Sequence, residues 1–235
     1  MPVKEGCLGL SPDTIECMSV EALAWLVLKN YSDSDAWNKG NWMLAAKADA
    51  GEGTHLLALV EAFVWLETRG LIVPSPYQSP EDSRVLSRAG KKCLQSGSFQ
   101  EVIAAEALDL NLHSKLGTKI RSIFLHGDFE TAAFAAMKEV EVRVRELSGL
   151  PHSLVGVALM RQAFKPAGGP LADQSLDGGE RHARADLFAG AIGSFKNPTS
   201  HRAVAYDNAQ EASEVILLAD LLLRILDHVE RDQTN

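Results

Sequence analysis

A chain of 235 residues, 46% apolar and 23% charged, can fill one large core or two small ones and is too apolar for disorder. Its 31 acidic and 23 basic side chains leave a formal charge of −8, which argues against a protein that coats nucleic acid but allows one local basic site. There is no run of roughly 18 apolar residues to span a membrane. The opening Met1-Pro2-Val3-Lys4-Glu5 lacks a signal-peptide core, and Cys7, Cys17 and Cys93 form no ligand-like pair, so a reducing cytoplasm is the expected home.

The first periodic segment, Ser19 to Lys29, places Ala22, Leu23, Leu26 and Val27 on one helical stripe with Ser19 as N-cap. Thr54 to Arg69 repeats the pattern with Leu56, Leu57, Val60, Phe63, Val64 and Leu66; Thr54 is its candidate cap and Gly70 its stop. Two short runs follow, Leu71-Ile72-Val73 and Ser83-Arg84-Val85-Leu86, joined by a proline-rich polar loop, and they predict a β-hairpin. Another helix opens near Ser87. Helices followed by a hairpin within about 95 residues outline a winged helix, and a domain boundary is expected there. Trp25, Trp37, Trp42 and Trp65 are expected to pack within it.

Beyond Ser98 every segment reads as helix. The expected spans are Phe99–Leu108, His113–His126, Asp128–Leu147, Ser153–Phe164, Glu180–Ser194 and Asn208–Glu230, with Asp128 as a cap. Between two of them, Lys165 to Gly179 holds two prolines and four glycines in fifteen positions and must be loop. The fold class is therefore mainly α, a winged-helix-like domain at 1–95 and an α-helical bundle at 96–235. Val215 to Leu226 is apolar except for Asp220 and Arg224, which can pair at i, i+4. Such a helix is either central to its bundle or part of an oligomer interface.

The histidines and cysteines show no zinc-ligand spacing, so no metal and no cofactor are expected. Gly190-Ala191-Ile192-Gly193 lies inside a helical pattern, which suggests close helix packing rather than a phosphate loop. The stretch Phe195-Lys196-Asn197-Pro198-Thr199-Ser200-His201-Arg202 gathers three basic groups in an acidic chain. Pro198 ends the preceding helix, and Asp207 with Gln210 is spaced like a capping box for the next. Histidine can give and take a proton near neutral pH, and a lysine beside it supplies fixed positive charge. Lys138, Glu141 and Arg145 share one helix face, where a solvated charge ladder needs no function; His113 and His126 read as surface or cap residues. On the Thr54 helix, Glu61 and Glu67 oppose phosphate approach and disfavour DNA reading, and the basic pair Lys91-Lys92 lies beyond the hairpin.

From Asp109 to Leu226 the sequence resembles the Ymh family of phages, plasmids and bacterial chromosomes. The resemblance rests on Leu112-His113, Phe124, Gly127-Asp128-Phe129, Ala132-Ala133, Ala136-Met137-Lys138, Val140-Glu141 and Val144-Arg145. It continues in Leu187-Phe188-Ala189-Gly190-Ala191, Phe195-Lys196-Asn197-Pro198 and His201. That family looks like a branch of the HEPN superfamily, helical domains that are often metal-independent RNases. Their signature is an Arg, usually followed by a polar residue, with a His a few positions on. Here Asn197 and His201 match, whereas Lys196 stands where the Arg would be and lacks its two-pronged phosphate grip. The resemblance implies RNA as substrate and Lys196, Asn197 and His201 as catalytic residues, with Glu141, Arg145 and Arg202 in support. It also implies a homodimer through the C-terminal bundle with a composite site, and a role in phage defence or a toxin system. The competing expectation is a non-catalytic module that uses the bundle for dimerisation or nucleotide binding.

Overall fold

Ser19 caps the first long helix by accepting from the Ala22 amide, which replaces one hydrogen bond that a helix start lacks. In the computed structural model this helix, α2, covers Val20–Asp33 and follows a short α1 at Pro12–Cys17. The structure describes residues 8–34, 38–50, 53–77, 83–108, 112–197, 206 and 208–234. Next come α3 (Lys39–Ala50), α4 (His55–Thr68), strands β1 (Ile72–Pro74) and β2 (Arg84–Leu86), and α5 (Arg88–Ser96). These form one compact unit, Met1–Phe99; the other is Gln100–Asn235.

In the first unit α4 packs along α2. Its buried face is Leu59, Ala62, Phe63 and Leu66, while Leu57, Val60 and Val64 stay exposed, so the sequence stripe mixed two faces of a helix that is apolar on both. Tyr31 and Trp42 meet Phe63 edge-on, with ring centroids 5.5 and 5.0 Å away. Trp25 and Trp65 both pack on Phe99, whereas Trp37 lies outside the described residues. Thr54 does not cap α4: its backbone is already helical and its hydroxyl donates to Glu16.

The strands pair antiparallel, with Ile72 opposite Leu86, Val73 opposite Val85 and Pro74 opposite Arg84. Tyr31 ties α2 to the sheet by donating its hydroxyl to the Arg84 carbonyl at 3.0 Å. Gly90 in α5 lies so close to the hairpin that a Cβ would collide with the Leu71 carbonyl oxygen.

The second unit is all helix among its described residues. Its elements are α6 (Gln100–Ala107), α7 (Gly117–Leu125), α8 (Phe129–Ser148), α9 (Gly156–Ala163), α10 (Gly178–Ala191) and α11 (Ala209–Thr234). A π-helical turn, Ile192–Lys196, extends α10. Asp128 caps α8 by accepting from the Thr131 amide, and Asp177 with Glu180 forms a full capping box on α10. The Asn208 side chain accepts from the Glu211 amide at the start of α11, and Asp207, to which the capping-box spacing points, lies outside the described residues. The helix expected from His113 starts four residues later, at Gly117. Instead the His113 amide donates to Asp220 and its ring lies 3.0 Å from Asp227, holding the segment before α7 to α11.

The apolar last helix is central to this unit. It lies along α8 and α6, and Ile216, Ala219, Leu222, Leu223 and Leu226 are fully buried. A narrow outward strip remains, in which Leu221 is 52% exposed and Leu217, Leu218 and Ile225 are half-buried. Asp220 and Arg224 pair at 2.7 Å as their spacing predicts.

Candidate functional site

The geometry of the basic stretch starts with the end of α10. In the π-helical turn the Asn197 amide donates to the Ile192 carbonyl, five residues back, at 3.0 Å. A turn widened by one residue sets both Lys196 and Asn197 on the side that Phe188 and Ile192 occupy earlier, which faces α8 and α9. Pro198 offers no amide hydrogen to continue the helix.

Lys196 meets Glu141 on α8, with its Nζ 3.3 Å from Oε2. Glu141 is 5% exposed and holds three donors: Lys196, the Arg145 guanidinium at 2.9 Å, and the Gly156 amide at 3.2 Å. A side chain of α8 thereby caps α9 at its first residue, a position where Val155 supplies no side-chain bond. Arg145 also donates to the Leu154 carbonyl at 3.1 Å, which fixes the segment ahead of α9. Burial opposes ionisation of Glu141. The Arg145 hydrogen bond and the Lys196 charge outweigh it and hold the carboxyl below its ordinary value.

Gly156 is required twice here. Its φ is +57°, a conformation that side-chain-bearing residues rarely adopt, and a Cβ would come within 2.9 Å of the Asn197 amide oxygen. Asn197 therefore sits directly over the Gly156 backbone. Gly193, one turn earlier, makes a similar close approach to Val157, whereas Gly190 faces open space, so only the second of these two glycines packs a helix.

Of the sequence-predicted residues, the structure joins Lys196, Glu141 and Arg145 in one ion cluster and places Asn197 beside it. Glu141 is not part of a solvated ladder; Lys138, on the same helix, is exposed and stands apart. His201 and Arg202 lie outside the described residues. His126 is exposed at the end of α7, its ring bonded to the Ser122 carbonyl. Two participants escaped sequence reasoning, Gly156 and the Leu154 carbonyl. Gly156 stands 15 residues from Glu141 and 41 from Asn197, a separation that carries no periodic signal.

Two cations, Lys196 and Arg145, share the Glu141 carboxylate. With Asn197 as a neutral donor and acceptor beside it, the cluster can hold an anionic oxygen, with lysine as a compact point charge. Among the described residues no three His, Cys, Asp or Glu side chains are grouped to hold a metal ion, and no helix is long and apolar enough to cross a membrane. No curated protein and no solved structure matches this chain. Residues 110–226, which contain all the members of this cluster, match the family described as "Protein of unknown function (Hypoth_ymh)".

Proposed function

We propose that the C-terminal bundle is a metal-independent endoribonuclease of HEPN type, with Lys196, Asn197 and His201 acting on RNA. One observation carries this reading: Lys196 and Asn197 are set side by side at the end of α10, Lys196 held by Glu141 and Asn197 seated on Gly156. His201 follows Lys196 by five positions in the chain. In the proposed reaction His201 takes the proton of a ribose 2′-OH, whose oxygen attacks the adjacent phosphorus. The bond to the 5′ oxygen breaks, and that oxygen receives a proton from a second histidine. Lys196 stabilises the added negative charge on phosphorus, and Asn197 hydrogen-bonds a phosphate oxygen. Glu141 and Arg145 act as positioning residues, and Arg202 adds charge.

The second histidine would come from another copy of the chain, joined through the C-terminal bundle; the strip around Leu221 supports such a contact. The role would be cleavage of cellular RNA in phage defence or a toxin system, in the cytoplasm. The order of α2, α3, α4 and hairpin supports a winged-helix reading of residues 1–95, ahead of the HEPN-like bundle at 96–235.

The grip of Glu141 on Lys196 favours a second reading, a non-catalytic nucleotide- or nucleic-acid-binding module, because part of the lysine charge is already spent. RNA cleavage by the purified chain with chelator present separates the two. The nuclease reading expects cleavage that His201→Ala reduces by about 10²–10⁴. It also expects loss in Lys196→Ala and retention or gain in Lys196→Arg. Cleavage unchanged in His201→Ala, or none in any variant, rejects it. Light scattering should report a dimer.

A further inference from the structure

The surface of α4 that a DNA-reading helix would present carries Leu57, Val60, Glu61 and Val64, with no base among them. Three of the first unit's cations lie elsewhere. Arg88, Lys91 and Lys92 fall within five positions at the start of α5, all exposed. Beside them runs an open groove between the end of α2, β2 and α5. Val85 and Leu94 are among its apolar lining residues, and Leu86 follows Val85 in the strand. Lys91 stands on one side, Ser32 contributes a hydroxyl, and Tyr77, 90% exposed, stands at the rim. In β2 the Arg84 carbonyl is already occupied by Tyr31, so this edge is not fully open to an added peptide strand.

An exposed tyrosine at a groove with apolar lining residues, with Lys91 in the lining and Arg88 on the same helix, has the parts that single-stranded nucleic acid requires. The ring stacks a base, the apolar lining receives a sugar or second base, and Lys91 meets a phosphate. A duplex hides its base faces and cannot use the ring. We infer that this groove binds a short stretch of single-stranded nucleic acid, with Tyr77 as stacking platform and Lys91 as phosphate contact.

This inference is independent of the proposed nuclease chemistry, and the test keeps the two separate. Full-length protein carrying His201→Ala is titrated against fluorescent oligonucleotides of about 12 units, a length within known single-strand site sizes. The probes are single-stranded RNA, single-stranded DNA and duplex DNA. Both single strands should bind more tightly than the duplex, and affinity should fall as salt rises from about 50 to 200 mM. Tyr77→Ala should weaken binding about fivefold to a hundredfold, and Lys91→Ala should lower the salt slope by about one. Val60→Ala on α4 should change nothing. All three positions are exposed, so the variants retain their fold, which circular dichroism checks. No binding, equal or tighter duplex binding, or single-strand binding indifferent to Tyr77→Ala and Lys91→Ala overturns the groove. Cleavage by wild-type protein in that event leaves the nuclease reading standing.

Discussion

Each unit holds a carboxylate between two cations. Glu67 on α4 takes Lys39 of α3 at 3.1 Å and Arg84 of β2 at 2.7 Å; Glu141 on α8 takes Arg145 of its own helix at 2.9 Å and Lys196 at 3.3 Å. The same device does different work in the two places. Glu67 has a side chain 24% exposed and ties a helix and a hairpin to α4, a structural clasp. The Glu141 side chain is 7% exposed and also accepts the Gly156 amide, next to an asparagine packed on that glycine. Charge pairing alone therefore does not mark a site. What distinguishes Glu141 is deeper burial, a backbone donor, and two polar side chains held together where a helix ends.

Tryptophan fluorescence can separate the units, because all four tryptophans, at positions 25, 37, 42 and 65, belong to the first. The largest effect is expected from Glu141→Ala, which removes the buried carboxylate that Lys196, Arg145 and the Gly156 amide share. Stability of the second unit should fall by about 3 kcal/mol or more. Helix loss by circular dichroism should move to lower denaturant while the tryptophan transition stays put. If both probes move together, or neither does, the hub role assigned to Glu141 fails.

A smaller loss, about 1–3 kcal/mol, is expected from Gly156→Ala, which forces a side chain into a left-handed conformation. Because its Cβ would also displace Asn197, the Asn197 side-chain amide signal in an NMR spectrum should shift. An unshifted signal would show that Asn197 is not seated there.

Glu67→Gln should have the smallest effect, about 1 kcal/mol, since partial exposure screens the pair, and it should appear in the tryptophan transition. Its pH dependence sharpens the comparison. Burial opposes ionisation of Glu67, but the hydrogen bonds from Arg84 and Lys39 prevail, and its carboxyl sits below the ordinary value. A carboxylate with a lowered folded pKa contributes stability that is fully present above its unfolded value, about 4.3. That contribution is lost as pH falls through the folded value. Glu67→Gln should therefore flatten the acid dependence of the tryptophan transition, and Glu141→Gln that of the helix signal. An acid dependence that neither variant changes would assign it to other groups.

Much of the fold was legible because it depends on near neighbours in the chain. Ser19, Ser87 and Asp128 cap helices within three residues of themselves, and the Asp220–Arg224 pair needs one helical turn. Thr54 misled because its hydroxyl found a partner 38 residues away, which a local rule cannot anticipate. On α4, Leu57 and Leu59 are equally apolar, and packing against α2 decided which was buried.

For the candidate site, the basic cluster drew attention to Lys196, and only the family resemblance pointed to Asn197, Glu141 and Arg145 as its companions. Helical spacing places Glu141 and Arg145 on one face of α8, since i, i+4 positions lie one above the other. Sequence order alone leaves undecided whether that face meets water or a lysine. Tertiary structure decided it: the π-helical turn brings Lys196 to α8, and a left-handed glycine lets Asn197 reach α9. The physical reason is one of range. Caps and helical pairs act across a single turn and can be read from spacing, whereas a buried carboxylate is defined by donors brought from distant segments, and only the packed bundle brings them within hydrogen-bonding distance.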